Sequence, residues 1–295
     1  MRLDPVLLAA IDDLELVARV MVDGTVSGLH RSPFHGYSAE FHQYRHYRQG
    51  DDLKYIDWKL FARTDRLYTK QYRETTNMVA QIAIDASGSM AYGGRTGISK
   101  IAYARLLAAA LAHLVSRQGD AVGSVAYGDR LRQYIPSRTG PSHLRGLLIS
   151  LTKIEASGAT AAAASLGRAI DLLRRRGLLV VLSDLYDEDA AVERELKRAI
   201  RIGHEVAIFH VLTPDEIEFP FNGDMEFADL ETGRTIVASP GALAPAYRRD
   251  MAEFLERWRL RCAAHRIDYV RARTDMPLDA VLRGYLLSRG GGLSP

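Results

Sequence analysis

Asp85, Ser87 and Ser89 close the stretch "VAQIAIDASGSM", where an apolar, β-branched run gives way to one carboxylate and two hydroxyls. In an extended segment that begins to turn, residues at i, i+2 and i+4 point the same way, and Gly88 lets the backbone bend. Farther along, the run "LLVVLS" leads into Asp184, and the turn "ASGAT" offers Thr160 ahead of a helical stretch. Two carboxylates and three hydroxyls are hard oxygen donors with no imidazole or thiolate among them. That set suits Mg²⁺ or Mn²⁺, with Ca²⁺ also admissible, rather than zinc. Magnesium keeps several waters and is often held by one or two carboxylates, so an open coordination position would remain.

These five side chains span about a hundred residues, so a fold must gather them. From residue 79 onward, short apolar strand candidates (79–84, 121–127, 178–183, 205–211, 267–270) alternate with helical ones (99–117, 141–151, 163–175, 189–202, 242–265). Strands apolar enough to be buried on both faces, alternating with helices, predict an α/β fold with a doubly wound, mostly parallel, Rossmann-type sheet. Ligand sites in such sheets form outside the carboxyl ends of the strands, where Asp85 and Asp184 fall. "RLRQYIP" reads as an edge strand paired with the strand before it, and "MEFADLETGRTIVA" as a hairpin turning at Glu231-Thr232-Gly233. Ahead of this region, Asp4 and Pro5 open a helix over 5–22, with Leu7, Ile11, Leu14, Ala18 and Met21 at helical spacing. Residues 27–76 are aromatic-rich, alternate in short runs and carry turn signals, which predicts a small, mostly β region. The expected division is residues 1–76 for the N-terminal helix and β-rich subdomain, 77–289 for the α/β domain, and 290–295 as a disordered tail.

The pattern Asp85-x-Ser87-x-Ser89, with Thr160 and Asp184 downstream, resembles the metal-ion-dependent adhesion site of von Willebrand factor A domains. The resemblance implies that the two serines and the threonine are direct or near-direct ligands and that the aspartates act through water. Thr160 is followed by Ala161 where many such domains carry an aspartate, one acceptor fewer around the metal. A second resemblance lies in "RHYRQGDDLKYIDWKLFARTDRLYTKQYRE": Tyr47, Gly50, Asp51, Ile56, Asp57, Trp58, Ala62 and Arg63 resemble the hallmark of the bacterial domain-of-unknown-function family fifty-eight. In that family the segment precedes a von Willebrand A-like domain. Together the two resemblances imply a metal-dependent interaction module, an adaptor or chaperone-like partner of a MoxR-type AAA+ ATPase, with an acidic residue of the partner completing the metal's coordination. Beside the name stands a physical reading: about ten aromatics fall between Phe34 and Tyr72. They suit a small layer in which Tyr47 and Trp58 are buried and Asp57 pairs with Arg63. Tyr47, Gly50, Asp51, Asp57, Trp58 and Arg63 are thus taken as a structural signature.

Other chemistries fit less well. "GGRTGISK" lacks the Gly-Lys-Ser/Thr order of a phosphate-binding loop, and "DASGS" lacks Gly-x-Ser-x-Gly. A metal-dependent phosphohydrolase using the same strand-end aspartate is the best enzymatic rival, although Ser87 stands where such enzymes place a second aspartate. His42 and His46 lack the glutamate of a zinc-binding His-Glu-x-x-His. With 39 basic against 36 acidic residues, the net charge of +3 does not favour nucleic acid, despite Arg45, Arg48 and Lys54. The single cysteine, Cys262, and the absence of any run of about 18 apolar residues predict a soluble cytoplasmic protein without a membrane segment.

Overall fold

The computed structural model describes residues 4–11, 13–26, 39–48, 51–74, 78–158, 161–173, 175–186, 189–231 and 233–290. They form two compact units, one between Phe34 and Asn77, the other from the residues before and after it.

The chain opens with helix α1 (Pro5–Ala9), where the Asp4 carboxylate accepts from the Val6 N–H at 2.8 Å and Pro5 sits in the first turn. A second helix, α2 (Leu14–Val26), follows. The single helix expected over 5–22 is thus two. The Asp13 carboxylate accepts from the Leu16 N–H at 3.0 Å, and an aspartate that bonds forward to the backbone favours a new helix start over helix interior. Leu14, Val17, Ala18, Met21 and Val22 are buried at helical spacing.

In the smaller unit, strand β1 (Ala39–His46), helix α3 (Trp58–Thr64) and strand β2 (Tyr68–Glu74) follow in order, with β1 and β2 antiparallel. The helix departs from the mostly β expectation. Asp57 caps it, accepting from the Leu60 N–H at 3.0 Å, and also takes the Tyr44 hydroxyl at 2.9 Å and the Lys70 ammonium at 3.1 Å. The cation on Asp57 is therefore Lys70, not the expected Arg63, which lies in the last turn of α3. The backbone bond to Leu60 and the bonds from Tyr44 and Lys70 hold the Asp57 carboxyl down at about 2. Trp58, expected to be buried, is the first residue of α3 and is 60% exposed. Asp51 ties the strand to its following turn: it accepts from the Arg45 guanidinium at 2.7 Å and the Arg48 N–H at 2.9 Å. Tyr47 is half-buried and joins the hairpin through its N–H to the Leu67 carbonyl at 3.0 Å. Gly50 lies outside the described residues.

The larger unit is built on a six-stranded sheet. In chain order its elements are β3 (Val79–Asp85), α4 (Lys100–Arg117), β4 (Ala121–Tyr127), β5 (Leu131–Arg138), α5 (Pro141–Thr152), α6 (Ala162–Asp171), β6 (Leu178–Ser183), α7 (Asp189–Arg201), β7 (Glu205–Leu212), α8 (Pro214–Glu218), β8 (Met225–Ala228), β9 (Thr235–Ala238), α9 (Pro240–Ala264), β10 (Asp268–Arg273) and α10 (Leu278–Gly290). The sheet order is β10-β7-β6-β3-β4-β5, with every pair parallel except β4–β5. This is the doubly wound, mostly parallel sheet the sequence predicts, including the antiparallel edge strand. The chain leaves β3 towards β4 and β5, then crosses back to β6 on the other side, so the strand order reverses beside β3.

Helix α4, buried along most of its length, packs against β3 and β4 and receives the apolar stripe of α2. The N-terminal helices therefore belong with the large sheet, a division different from the expected boundary at residue 76. The opposite layer joins α6, α7 and α9 through Leu166, Ile170, Val192, Leu196 and Trp258; each such buried side chain contributes roughly 1.5–3 kcal/mol. Hairpin β8–β9 forms where expected, with Thr232 of its turn outside the described residues. Among the described residues no single helix is long and apolar enough to cross a membrane.

A candidate metal centre at the strand ends

Asp85 is the last residue of β3, and Asp184 follows the last residue of β6. Because β3 and β6 are adjacent and in register, with Ile84 beside Leu182, both aspartates leave the sheet at the same rim. That rim is at the reversal of strand order, the usual ligand crevice of an open α/β sheet.

Asp85 is buried and holds its own turn. Its Oδ1 accepts from the Ser87 N–H at 2.9 Å and its Oδ2 from the Ser183 hydroxyl at 2.7 Å. Burial, and next the neighbouring Asp184 charge, push Asp85 up to about 6 against the pull of the bonds from Ser183 and Ser87. Ser87 is buried, and its Oγ lies 3.0 Å from the Oγ of Ser89. Three of the five expected donors thus stand together, one carboxylate and two adjacent hydroxyls.

The turn tolerates no side chain at 88. A Cβ there would meet the Leu230 carbonyl oxygen at 2.5 Å and the Gly158 carbonyl oxygen at 3.0 Å. Gly88 instead donates its N–H to that Gly158 carbonyl at 2.8 Å, and the Ser157 N–H reaches the Ala86 carbonyl at 3.0 Å. Residues 157 and 158 are therefore docked on the motif; Thr160 lies outside the described residues. Arg132, on the edge strand β5, clamps the same junction: it donates to the Ala86 carbonyl at 2.8 Å, the Ser157 carbonyl at 2.6 Å and the Ser157 hydroxyl at 3.0 Å.

Asp184 has a different partner from Asp85. Its Oδ2 accepts from the Lys100 ammonium at 2.7 Å, and Lys100 also donates to Glu216 Oε1 at 2.5 Å while facing the Tyr186 ring at 4.9 Å. Lys100 is fully buried at the first position of α4, just after Ser99, which caps the helix. Burial opposes its charge, but the carboxylates of Asp184 and Glu216 outweigh that and raise its pKa. Glu216 is itself fixed in a capping box, accepting from the Thr213 N–H at 2.7 Å. Behind Asp184, buried His210 donates from Nε2 to the Asp184 carbonyl at 2.8 Å, which leaves Nδ1 to accept from the Tyr269 hydroxyl at 2.7 Å. Burial holds His210 down at about 4, so it is neutral near pH 7.

Sequence reasoning missed Lys100, Ser183, His210, Glu216 and Arg132. Only Glu216 carried a local signal, the "TPDE" capping box. A lysine at a helix N-terminus reads as a solvated surface residue until the fold buries it.

Among the described residues, no three or more His, Cys, Asp or Glu side chains are grouped so as to hold a metal ion. A divalent ion would therefore depend on the serine hydroxyls. Asp85, Ser87 and Ser89 fit that role: hard oxygen donors, with a buried carboxylate that accepts from the Ser183 hydroxyl and the Ser87 N–H and, among the described residues, has no cation on it.

Among solved structures, the chain is similar to an aerotolerance-related membrane protein from Bacteroides fragilis (19% identity, 70% of this chain and 98% of that one, TM-score 0.47). It is also similar to BatB from Bacteroides thetaiotaomicron (18% identity, 73% and 100%, TM-score 0.46) and to the SpRpn10 VWA domain (14% identity, 74% and 99%, TM-score 0.40). The uncharacterized protein Rv1480 of Mycobacterium tuberculosis is 32% identical over 272 residues, 91% of this chain and 81% of the relative, as is Mb1516 of Mycobacterium bovis. The model of the family described as "Protein of unknown function DUF58" matches residues 43–257, and the chain belongs to that family.

Proposed function

We propose that this protein is a metal-dependent protein–protein interaction module whose contact point is the rim formed by Asp85, Ser87 and Ser89, with Thr160 and Asp184 as further donors. The observation that carries the reading is the pairing of a buried carboxylate with two adjacent hydroxyls at the reversal point of the sheet. Mg²⁺ or Mn²⁺ suits these donors, and when bound it supplies a coordination position for an oxygen from outside the chain. A partner offering an Asp or Glu side chain completes such a site. The protein's own contribution is to hold the donors still: Ser183 and the Ser87 N–H orient Asp85, and the Gly88–Gly158 and Arg132 contacts fix the loops around it. The resemblance to the DUF58 family points to a MoxR-type AAA+ ATPase as that partner.

The test has two stages. Purified protein should be stabilised by Mg²⁺ or Mn²⁺, by about 2.7 kcal/mol at a hundred times the dissociation constant, and Asp85→Ala should lose the shift. A MoxR-type ATPase from the same genome should then co-purify with wild type, and not with Asp85→Ala or in the presence of chelator. Absence of any shift in wild type counts against the metal. Hydrolysis of phosphoesters by wild type, lost in Asp85→Asn, would move the assignment to a phosphohydrolase.

A further inference from the structure

The cation that the acidic rim already holds belongs to the chain itself. Lys100 is fully buried, and its ammonium bridges Asp184 Oδ2 at 2.7 Å and Glu216 Oε1 at 2.5 Å. Its position is costly twice over: an ammonium is removed from water, and it sits at the positive end of the α4 dipole. The three groups come from different parts of the chain, α4, the end of β6 and α8, so the arrangement is not an accident of local sequence.

Its consequence for the rim is specific. Among the described residues, the Asp85 oxygens accept from N–H and hydroxyl donors, whereas Asp184, at the same rim, has one oxygen committed to an ammonium. Among the described residues, the other, Oδ1, takes a long contact of 3.5 Å from the Tyr186 N–H. The His210 bond fixes the Asp184 backbone carbonyl, so the carboxylate can change partner by side-chain rotation alone.

We propose that Lys100 is a tethered cation that competes with a divalent metal for Asp184, holding the rim intact without metal and keeping its metal affinity low. This rests on the reading of Asp85, Ser87 and Ser89 as a metal centre. Metal then takes Asp184 only by drawing it from Lys100, which stays neutralised by Glu216. An acidic partner residue that adds to the metal's hold shifts the exchange further, so tight metal binding and partner binding favour each other.

The decisive variant is Lys100→Gln/Glu216→Gln. It removes one positive and one negative charge, so the net charge around the rim is unchanged, and glutamine preserves the capping box at 216. It frees Asp184. Binding of Mn²⁺ alone is measured by the loss of the free-ion EPR signal, with circular dichroism to check the fold. We expect the dissociation constant to fall by about tenfold or more, the scale on which groups that orient metal ligands act. The gain should vanish when Asp184→Asn is added. Wild type and variant binding with equal affinity overturns the proposal while leaving the metal reading in place. An equal gain with and without Asp184→Asn overturns it too, because Lys100 would then not act through Asp184. Failure of both proteins to bind Mn²⁺ overturns the proposal and the metal reading together. If the double variant does not fold, Lys100→Arg supplies the same comparison: a guanidinium on the same carboxylates should leave Mn²⁺ binding as weak as in wild type or weaker, and tighter binding overturns the proposal.

Discussion

Lys100 and Asp184 are 84 residues apart in the chain and meet at 2.7 Å with neither side chain open to solvent. Removing one member of a buried pair leaves the other charged and uncompensated, which typically costs roughly 3–5 kcal/mol. Lys100→Met should therefore lower the stability of chelator-treated protein by about that much, read from urea unfolding. Added Mn²⁺ should recover part of the loss, since it offers Asp184 a new counter-charge.

Asp85 and His210 make opposite demands on pH. Burial and the Asp184 charge raise Asp85 to about 6, so between about pH 4 and 6 the folded protein holds a proton that the unfolded chain has released. This group's contribution falls as pH rises through that window. Burial lowers His210 to about 4, so from about pH 6.5 down to 4 the unfolded chain takes up the proton first, and this contribution falls as pH drops. The two partly cancel in wild type. In chelator, Asp85→Asn should be more stable than wild type at neutral pH, on the order of 1–3 kcal/mol, with the difference shrinking towards pH 4. Its melting temperature should climb with pH across that window more steeply than that of wild type. An Asp85→Asn profile parallel to wild type would dismiss the raised Asp85 carboxyl.

Gly88→Ala tests how closely the loops press on the motif. The new methyl would meet two backbone carbonyls, those of Leu230 and Gly158, neither of which can rotate away as a side chain would. Crowding of this kind costs about 1–3 kcal/mol. We expect the loss as a lower urea midpoint with an unchanged denaturant slope, together with weaker Mn²⁺ binding, because the turn that carries Ser87 and Ser89 must shift.

Much of this was legible in the sequence, and what was not has a common cause. Strands buried on both faces declare themselves by continuous apolar runs, so β4 and β6 fall at their expected bounds, 121–127 and 178–183. Helix α10 is not among the expected helices, although Leu278, Val281, Leu282, Tyr285 and Leu286 are buried at helical spacing. Helix α3 hid within an aromatic, strand-like texture, and its one clear signal was Asp57 three residues before Leu60. Asp85, Ser87 and Ser89 were readable because their spacing is local. Ser183 meets Asp85, and Lys100 brings Glu216 to Asp184, only through the tertiary fold, which no local pattern encodes.

Arg132 offers the cleanest separation of loop from core. Its guanidinium ties the Ala86 carbonyl, at the end of the β3 motif, to the carbonyl and hydroxyl of Ser157 on the loop that leads to Thr160. Hydrogen bonds from a charged donor contribute about 1.5–3 kcal/mol, and part of that is recovered by water at this partly exposed site. Arg132→Gln shortens the side chain and removes the forked donor, so it should release the loop without opening the sheet. We expect amide hydrogen exchange to accelerate at residues 155–158, whose protection depends on this junction, while β3 and β6 amides keep their wild-type protection. Global stability should fall by no more than about 1–2 kcal/mol. If Thr160 takes part in metal binding, Mn²⁺ affinity should weaken in the same variant. Unchanged exchange at 155–158 would mean that the Gly88–Gly158 and Ser157–Ala86 backbone bonds hold the loop on their own.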